Sequence, residues 1–272
     1  MRPDRDNIAI PPFPPGTTWI GTEAPVSERL TARAALLVHF FELGELSSLR
    51  TLPFVAGLAE RYGDRGLSVL GVHTPRSAIA ASDGALGAGL ERLEVPFPVA
   101  NDRERRIWHA YGCRGWPSTF LWGQGGTLRY AHFGEGAYHE TEAAIREELA
   151  GDEGHDLPEP TLDPVPTRSA PAIERPSEEV FPGGRYDRPW EPGKPGEPLI
   201  VEYAAGGAWA ALDGSGTVSV AVDDGTGSAI ELDGPGLYEL AAHPVHGMHE
   251  VSITLDGPIR VWSVSFAPGA AG

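Results

Sequence analysis

Eleven prolines fall between residues 151 and 198, at positions 158, 160, 164, 166, 171, 176, 182, 189, 192, 195 and 198, set among Glu, Asp, Ser and Thr. Each removes a backbone donor and fixes φ, so this density leaves little for a helix or a ladder to use. The stretch reads as an extended linker, partly polyproline II. It divides the 272 residues into an N-terminal extension at 1–15, an α/β domain at 16–150, the linker at 151–198 and an all-β domain at 199–272. A hydrophobic content of 41% against 22% charged lets each domain bury a core.

The net charge of −17, with no basic cluster standing out against it, speaks against binding nucleic acid or an anionic membrane surface. The N-terminus lacks an apolar leader, and no segment reaches 18 consecutive apolar residues, so neither a secretory signal nor a membrane span is expected. Cys113 is the only cysteine, so no disulfide can form within the chain. A lone thiol without a signal leads us to expect the cytoplasm.

In the first domain, Ala35–Phe41 is a continuous apolar run suited to a central strand. Leu46, Leu49, Leu52, Phe54, Val55 and Leu58 supply the inner face of a helix expected over 46–62, kinked at Pro53. A buried strand at 67–73, a helix at 77–93 and a short helix at 103–111 follow. Strands at 118–122 and 128–133 form a hairpin turned by Gly123-Gln124-Gly125-Gly126, and an amphipathic helix at 139–149 closes the domain. The order is β-α-β-α-β-β-α, with early crossovers long enough for parallel strands.

Several phrases lie in register with this order: Pro14-Pro15-Gly16-Thr17-Thr18-Trp19-Ile20, Leu37-Val38-His39-Phe40-Phe41, Leu49-Arg50-Thr51-Leu52-Pro53, Gly71-Val72-His73-Thr74-Pro75, Tyr111-Gly112 leading to Trp116-Pro117, and His132-Phe133-Gly134-Glu135-Gly136. Together they resemble thioredoxin-like redoxins of the TlpA/ResA type, and in detail the soluble redoxin portion of DipZ-like proteins. The resemblance implies a thioredoxin fold with a C-x-x-C motif at the start of its first helix. There the helix dipole lowers the first thiol's pKa and the second thiol resolves the mixed disulfide. The four positions here read Glu45-Leu46-Ser47-Ser48. A carboxylate and a hydroxyl cannot cycle through a disulfide, so dithiol exchange is excluded at this site. Glu45 places an anion at the helix start, Ser47 and Ser48 can bond to backbone groups there, and the segment reads as an ordinary capped start. A sharper reading has Glu45 mimic a permanent thiolate.

The resemblance also places Trp116-Pro117 at the family's cis-proline loop, where the residue before the proline offers its backbone to an extended peptide. Cys113, four residues earlier and beside Arg114, is either a small packed hydrophobe or a monothiol within reach of the vacated site. His39 and His73 read as framework residues with backbone partners, and the His132–Glu135 phrase as a turn. Gly84 to Gly89 does not follow a strand as a dinucleotide loop requires.

His243, His246 and His249 form an H-x-x-H-x-x-H run beside Glu250, three imidazoles of the kind that ligate zinc or nickel. Pro244 and Gly247 point to a loop, and a three-residue interval on a strand alternates faces. Short strands at 199–203, 217–222, 228–232, 236–241, 249–255 and 259–266 predict a small β-sandwich. The phrase from Gly236 to Phe266 resembles the carbohydrate-binding-like module that follows the redoxin in DipZ-like proteins, which implies a glycan as ligand. Trp190, Trp209 and Trp262 read either as its platforms or as core. Three functions stay open: a non-catalytic protein- or peptide-binding module, thiol chemistry at Cys113, and a metal- or glycan-binding C-terminal domain. No cofactor is expected.

Overall fold

The computed structural model describes residues 8–21, 35–79, 81–150, 157–160, 173–223, 225 and 227–270. They fall into two compact units, one made mainly of residues up to Val165 and one mainly of residues from Pro166 onward, with Leu43–Leu46 and Arg76–Gly89 grouped in the second.

The first unit is built on six strands: β1 (Trp19–Ile20), β2 (Ala35–Phe41), β3 (Leu67–His73), β4 (Val99–Asn101), β5 (Ser118–Gly123) and β6 (Leu128–Phe133). They lie in the order β1-β4-β3-β2-β5-β6. β2, β3 and β4 are parallel, while β1, β5 and β6 each pair antiparallel. β2 is buried along its whole length, as an uninterrupted apolar strand at the centre of a two-faced sheet must be. Helices α1 (Leu46–Tyr62), α2 (Asp83–Arg92), α3 (Arg106–Ala110) and α4 (Tyr138–Ala150) complete the described elements.

Alternation along β2 sets the layers. Leu36, Val38 and Phe40 share one core with Leu70, Val72, Ile107, Tyr111, Phe120 and Trp122, and that core holds no residue of α1 or α4. Those two helices pack together: Tyr62 Oη donates to Glu142 Oε1 at 2.6 Å, and the Phe54 and Tyr138 rings lie 4.7 Å apart. This is the thioredoxin-like α/β arrangement that the sequence resemblance implies. Two helices start later than periodicity predicts, because capping side chains decide. Ser82 Oγ accepts the amide of Ala85 at the head of α2. The Asp102 carboxylate accepts the amides of Ile107 and Trp108 at the head of α3. The short strands β1 and β4 carry no periodic signal and were not expected.

In the second unit the expected linker is a linker only in part. β7 (Ile173–Glu174) pairs with the terminal strand at Gly269–Ala270. Further along, Val180 bridges Val264 and Trp190 bridges Val261. Residues from 173 to 190 are therefore laid along the β-domain, since a proline-rich chain can still edge a sheet where its missing donors face away from the ladder. The main sheet comprises β8 (Leu199–Asp213), β9 (Gly216–Val222), β10 (Ser228–Leu232), β11 (Gly236–Asp256) and β12 (Arg260–Ala267), ordered β10-β9-β11-β8-β12, with β13 (Gly269–Ala270) beyond.

The expected strand at 199–203 runs on to Asp213 as β8, and the two expected at 236–241 and 249–255 merge into the long β11; both long strands then bend. The β8–β11 register shifts between Glu239 and Ala241 and again between Ala242 and Gly247. Core-facing residues of β8 switch parity there, from Val201, Tyr203 and Ala205 to Ala208, Ala210 and Leu212. Both halves feed one core, so the sheet folds over on itself as a sandwich whose corner is a bulge. Glycine is required at that corner: a Cβ on Gly206 would sit 2.5 Å from the Gly269 Cα.

Candidate functional site

Glu45 immediately precedes α1, which begins at Leu46, with Ser47 and Ser48 in its first turn. Ser48 is fully buried, and its Oγ accepts the amide of Glu42 at 3.2 Å. The carbonyl of Ser47 accepts the Thr51 hydroxyl at 2.7 Å. The two serines of this helix start are thus bonded to backbone and side chain within the fold, and Leu46 is buried.

The loop before β5 is arranged differently. The Trp116–Pro117 peptide is cis. Pro117 is buried, while Trp116 is half-exposed. The Trp116 ring stacks on Trp108 with centroids 5.6 Å apart, and the Arg105 guanidinium lies over it at 5.4 Å. Arg105 is itself held, donating to the Pro75 carbonyl at 3.2 Å. Among the described residues, neither the backbone N–H nor the carbonyl of Trp116 has a hydrogen-bond partner. Gly134 takes the neighbouring Pro117 carbonyl at 2.8 Å, so β6 closes the loop from one side only. Arg105 and Trp108 escaped the sequence reading; the run from Arg103 to Arg106 leading into Trp108 was the available signal.

Cys113 does not reach the vacated segment. It packs with Leu36, Val38 and Phe40 in the core that contains no residue of α1. Burial pushes its thiol far above the ordinary value, outweighing a bond with Ser118 that acts the other way. Arg114, expected to favour a thiolate, instead lies over the Phe133 ring at 5.8 Å. His39 and His73 are both buried in the central sheet, and among the described residues neither ring bonds a backbone group. The His39 Nδ1 meets Thr119 Oγ1 at 2.9 Å, while Asn101 acts on His73 but neither ring nitrogen of His73 is hydrogen-bonded among the described residues. Burial holds both imidazoles down to about 3, with Asn101 partly offsetting it for His73. Glu135 is engaged by Arg50 at 2.7 Å.

The three histidines of the C-terminal run do not converge, and they lie on a bulged strand rather than in a loop. His243 and His249 stack at 3.6 Å, while His246 sits 3.8 Å from Glu174. No cluster of three or more His, Cys, Asp or Glu among the described residues could hold a metal ion. His243 Nε2 meets Tyr203 Oη at 2.9 Å, and His249 Nδ1 meets Asp223 Oδ2 at 2.9 Å. Trp262 is buried, and Trp190 packs partly buried against the core.

The chain is 31% identical over 196 residues to protein DipZ of Mycobacterium tuberculosis, and equally to that of Mycobacterium bovis, covering 71% of this chain and 26% of DipZ. The chain carries a thioredoxin-like redoxin domain of the DipZ type. The matched length exceeds the first 150 residues, so the likeness continues past the redoxin domain. The chain spans about a quarter of DipZ's own length. NHL repeat-containing protein 2 of Bos taurus is 27% identical over 133 residues, 48% of this chain and 18% of that protein. Among solved structures, a thioredoxin-like protein in its oxidized form has a TM-score of 0.49 at 22% identity, over 53% of this chain and 97% of its own. A thiol-disulfide isomerase from Corynebacterium glutamicum has 0.43 at 22%, over 49% and 91%. No family model matches the chain.

Proposed function

We propose that this chain is a non-catalytic member of the redoxin scaffold that binds an extended segment of a partner protein at the Trp116 loop. The observation that carries the reading is the unpartnered Trp116 backbone beside an indole held rigid by Trp108 and Arg105. An amide and a carbonyl presented together on an ordered loop are what a peptide needs to add as a strand, and a pre-stacked ring loses little entropy when covered. The chemistry of the remaining groups agrees with binding in place of exchange. Cys113 is the single thiol and is buried, so no dithiol can cycle within the chain.

Two measurements test the reading. Insulin reduction by dithiothreitol should proceed no faster with the protein than without it; turnover would overturn the non-catalytic part. In a two-dimensional NMR titration with extended heptapeptides, the Trp116 amide and indole signals should move first. Binding that leaves those signals in place would overturn the site.

A further inference from the structure

The arginines around the Trp116 loop say which peptide it takes. Residues 103–114 hold four arginines, Arg103, Arg105, Arg106 and Arg114, against one glutamate, in a chain whose net charge is −17. In a protein with 38 acidic residues and 21 basic ones, a guanidinium finds a carboxylate easily. Arg106 does so, with Glu104 at 3.1 Å, and both are exposed.

Arg105 and Arg114 do not: neither has a carboxylate partner among the described residues. Instead each lies over an aromatic ring of the loop's surroundings, Arg105 over Trp116 and Arg114 over Phe133. Phe133 is itself paired in register with Ser118, the residue that follows Pro117. Of the two acidic side chains just before Arg105, Glu104 pairs with Arg106, and Asp102 is buried and occupied by the amides of Ile107 and Trp108 and the Thr74 hydroxyl. Arg105 gives one donor to the Pro75 carbonyl and Arg114 is exposed, so both guanidinium groups keep further N–H donors, in the planar fork that suits a carboxylate.

Resting on the peptide-binding reading above, we propose that the Trp116 site selects acidic extended segments, with Arg105 and Arg114 receiving side-chain carboxylates of the strand that adds to the Trp116 backbone. Period-two alternation in an extended peptide would send every second side chain toward the arginines, so the preferred sequence alternates Glu or Asp with an apolar residue. Strongly acidic surroundings elsewhere on the chain repel such a segment, which confines its capture to this loop.

The test uses the full chain and three peptides on one backbone: acetyl-Ser-Glu-Val-Asp-Val-Glu-Ser-amide, its Gln/Asn isostere, and its Lys counterpart. NMR shifts of Trp116 and tryptophan fluorescence report binding. The acidic peptide should bind about ten-fold more tightly than the isostere at low salt, with the advantage shrinking as salt rises to 0.3 M. Replacing the exposed Arg114 (Arg114→Gln) should reduce that ratio, and adding Arg105→Lys, which keeps the charge but loses the stacked fork, should reduce it further. An isostere that binds as well as the acidic peptide, or a Lys peptide that binds better, would overturn the charge selection while leaving the peptide site standing. Failure of all three to move Trp116 would overturn both readings. A thymidine octanucleotide that moves Trp116 at lower concentration than the acidic peptide would also overturn the proposal, since guanidinium and indole stacks can serve bases as well.

Discussion

The redoxin domain and the β-sandwich both bury histidine, and they do it by opposite routes. In the redoxin domain, His39 and His73 are each fully enclosed in the central sheet, His39 with a single side-chain partner in Thr119 and His73 with neither ring nitrogen hydrogen-bonded among the described residues. In the sandwich, Tyr203, His243, His249 and Asp223 form a graded chain. It runs from a Tyr203 that is 1% exposed to an Asp223 side chain that is 51% exposed. A sealed imidazole can accept a proton only by disrupting its surroundings. A graded chain can take one up with water and a carboxylate close by. The difference separates imidazoles sealed in a sheet from a stacked pair that reaches the surface beside a carboxylate.

Acid gives the largest expected effect. With the folded imidazoles held to about 3 against an ordinary 6.5, the unfolded chain binds protons below pH 6.5 that the native domain refuses. The depressed values mean that the full stability is present above pH 6.5 and is lost as pH falls from there toward about 3. Each histidine contributes a loss of about 1.4 kcal/mol per pH unit, so near pH 4.5 the two together remove roughly 5 kcal/mol. In the sandwich, burial and His249 also lower His243, but its solvent access keeps the penalty small. Hydrogen exchange followed residue by residue should show β2 and β3 losing protection between pH 6.5 and 4.5 while β8 and β11 keep theirs. Simultaneous loss in both domains would break the comparison.

The corner of the sandwich comes next. Gly206 faces the Gly269 backbone, with a substituted Cβ only 2.5 Å from its Cα and 2.8 Å from the Pro268 carbonyl. Backbone cannot rotate aside as a side chain can. Gly206→Ala should therefore destabilise the sandwich by about 3 kcal/mol, read as a lower midpoint in urea for the β-domain signals. A neutral substitution would mean that β8 and β13 separate freely, and that the bulge at the corner is not what folds the sheet.

Much of the redoxin fold was legible because its signals are local. The apolar run at Ala35–Phe41 and the 3.6-residue spacing after Leu46 each state one element, and the observed bounds of β2, α1, β3 and β6 match the expected ones. The sandwich was legible as all-β, yet Pro244 and Gly247 read as a strand break when they mark a bulge inside one 21-residue strand. The proline-rich stretch misled in the same way, since pairing across distant segments leaves no periodic trace. Of the candidate site, Trp116-Pro117 was found through resemblance, whereas Arg105 was invisible: its place over an indole depends on the αL backbone at residue 105, with φ 57°. Cys113 enters the core beside Leu36, Val38 and Phe40, a placement the sequence could not state because nearness to Pro117 does not say which face of the sheet a side chain enters.

The smallest effect compares single hydroxyls. Ser48→Ala removes the acceptor of the buried Glu42 amide in the redoxin domain, a group the surrounding side chains shield from water. A buried donor stripped of this bond should cost about 1–2 kcal/mol. Tyr203→Phe removes the hydroxyl that meets His243 in the sandwich, but the freed imidazole is part-exposed and can turn to solvent. That loss should be about 0.5 kcal/mol, since water replaces the partner. Urea titrations of the two variants, each against the parent chain, measure both numbers. Equal costs would show that His243 is as enclosed as the Glu42 amide, and the graded chain would then be a sealed one.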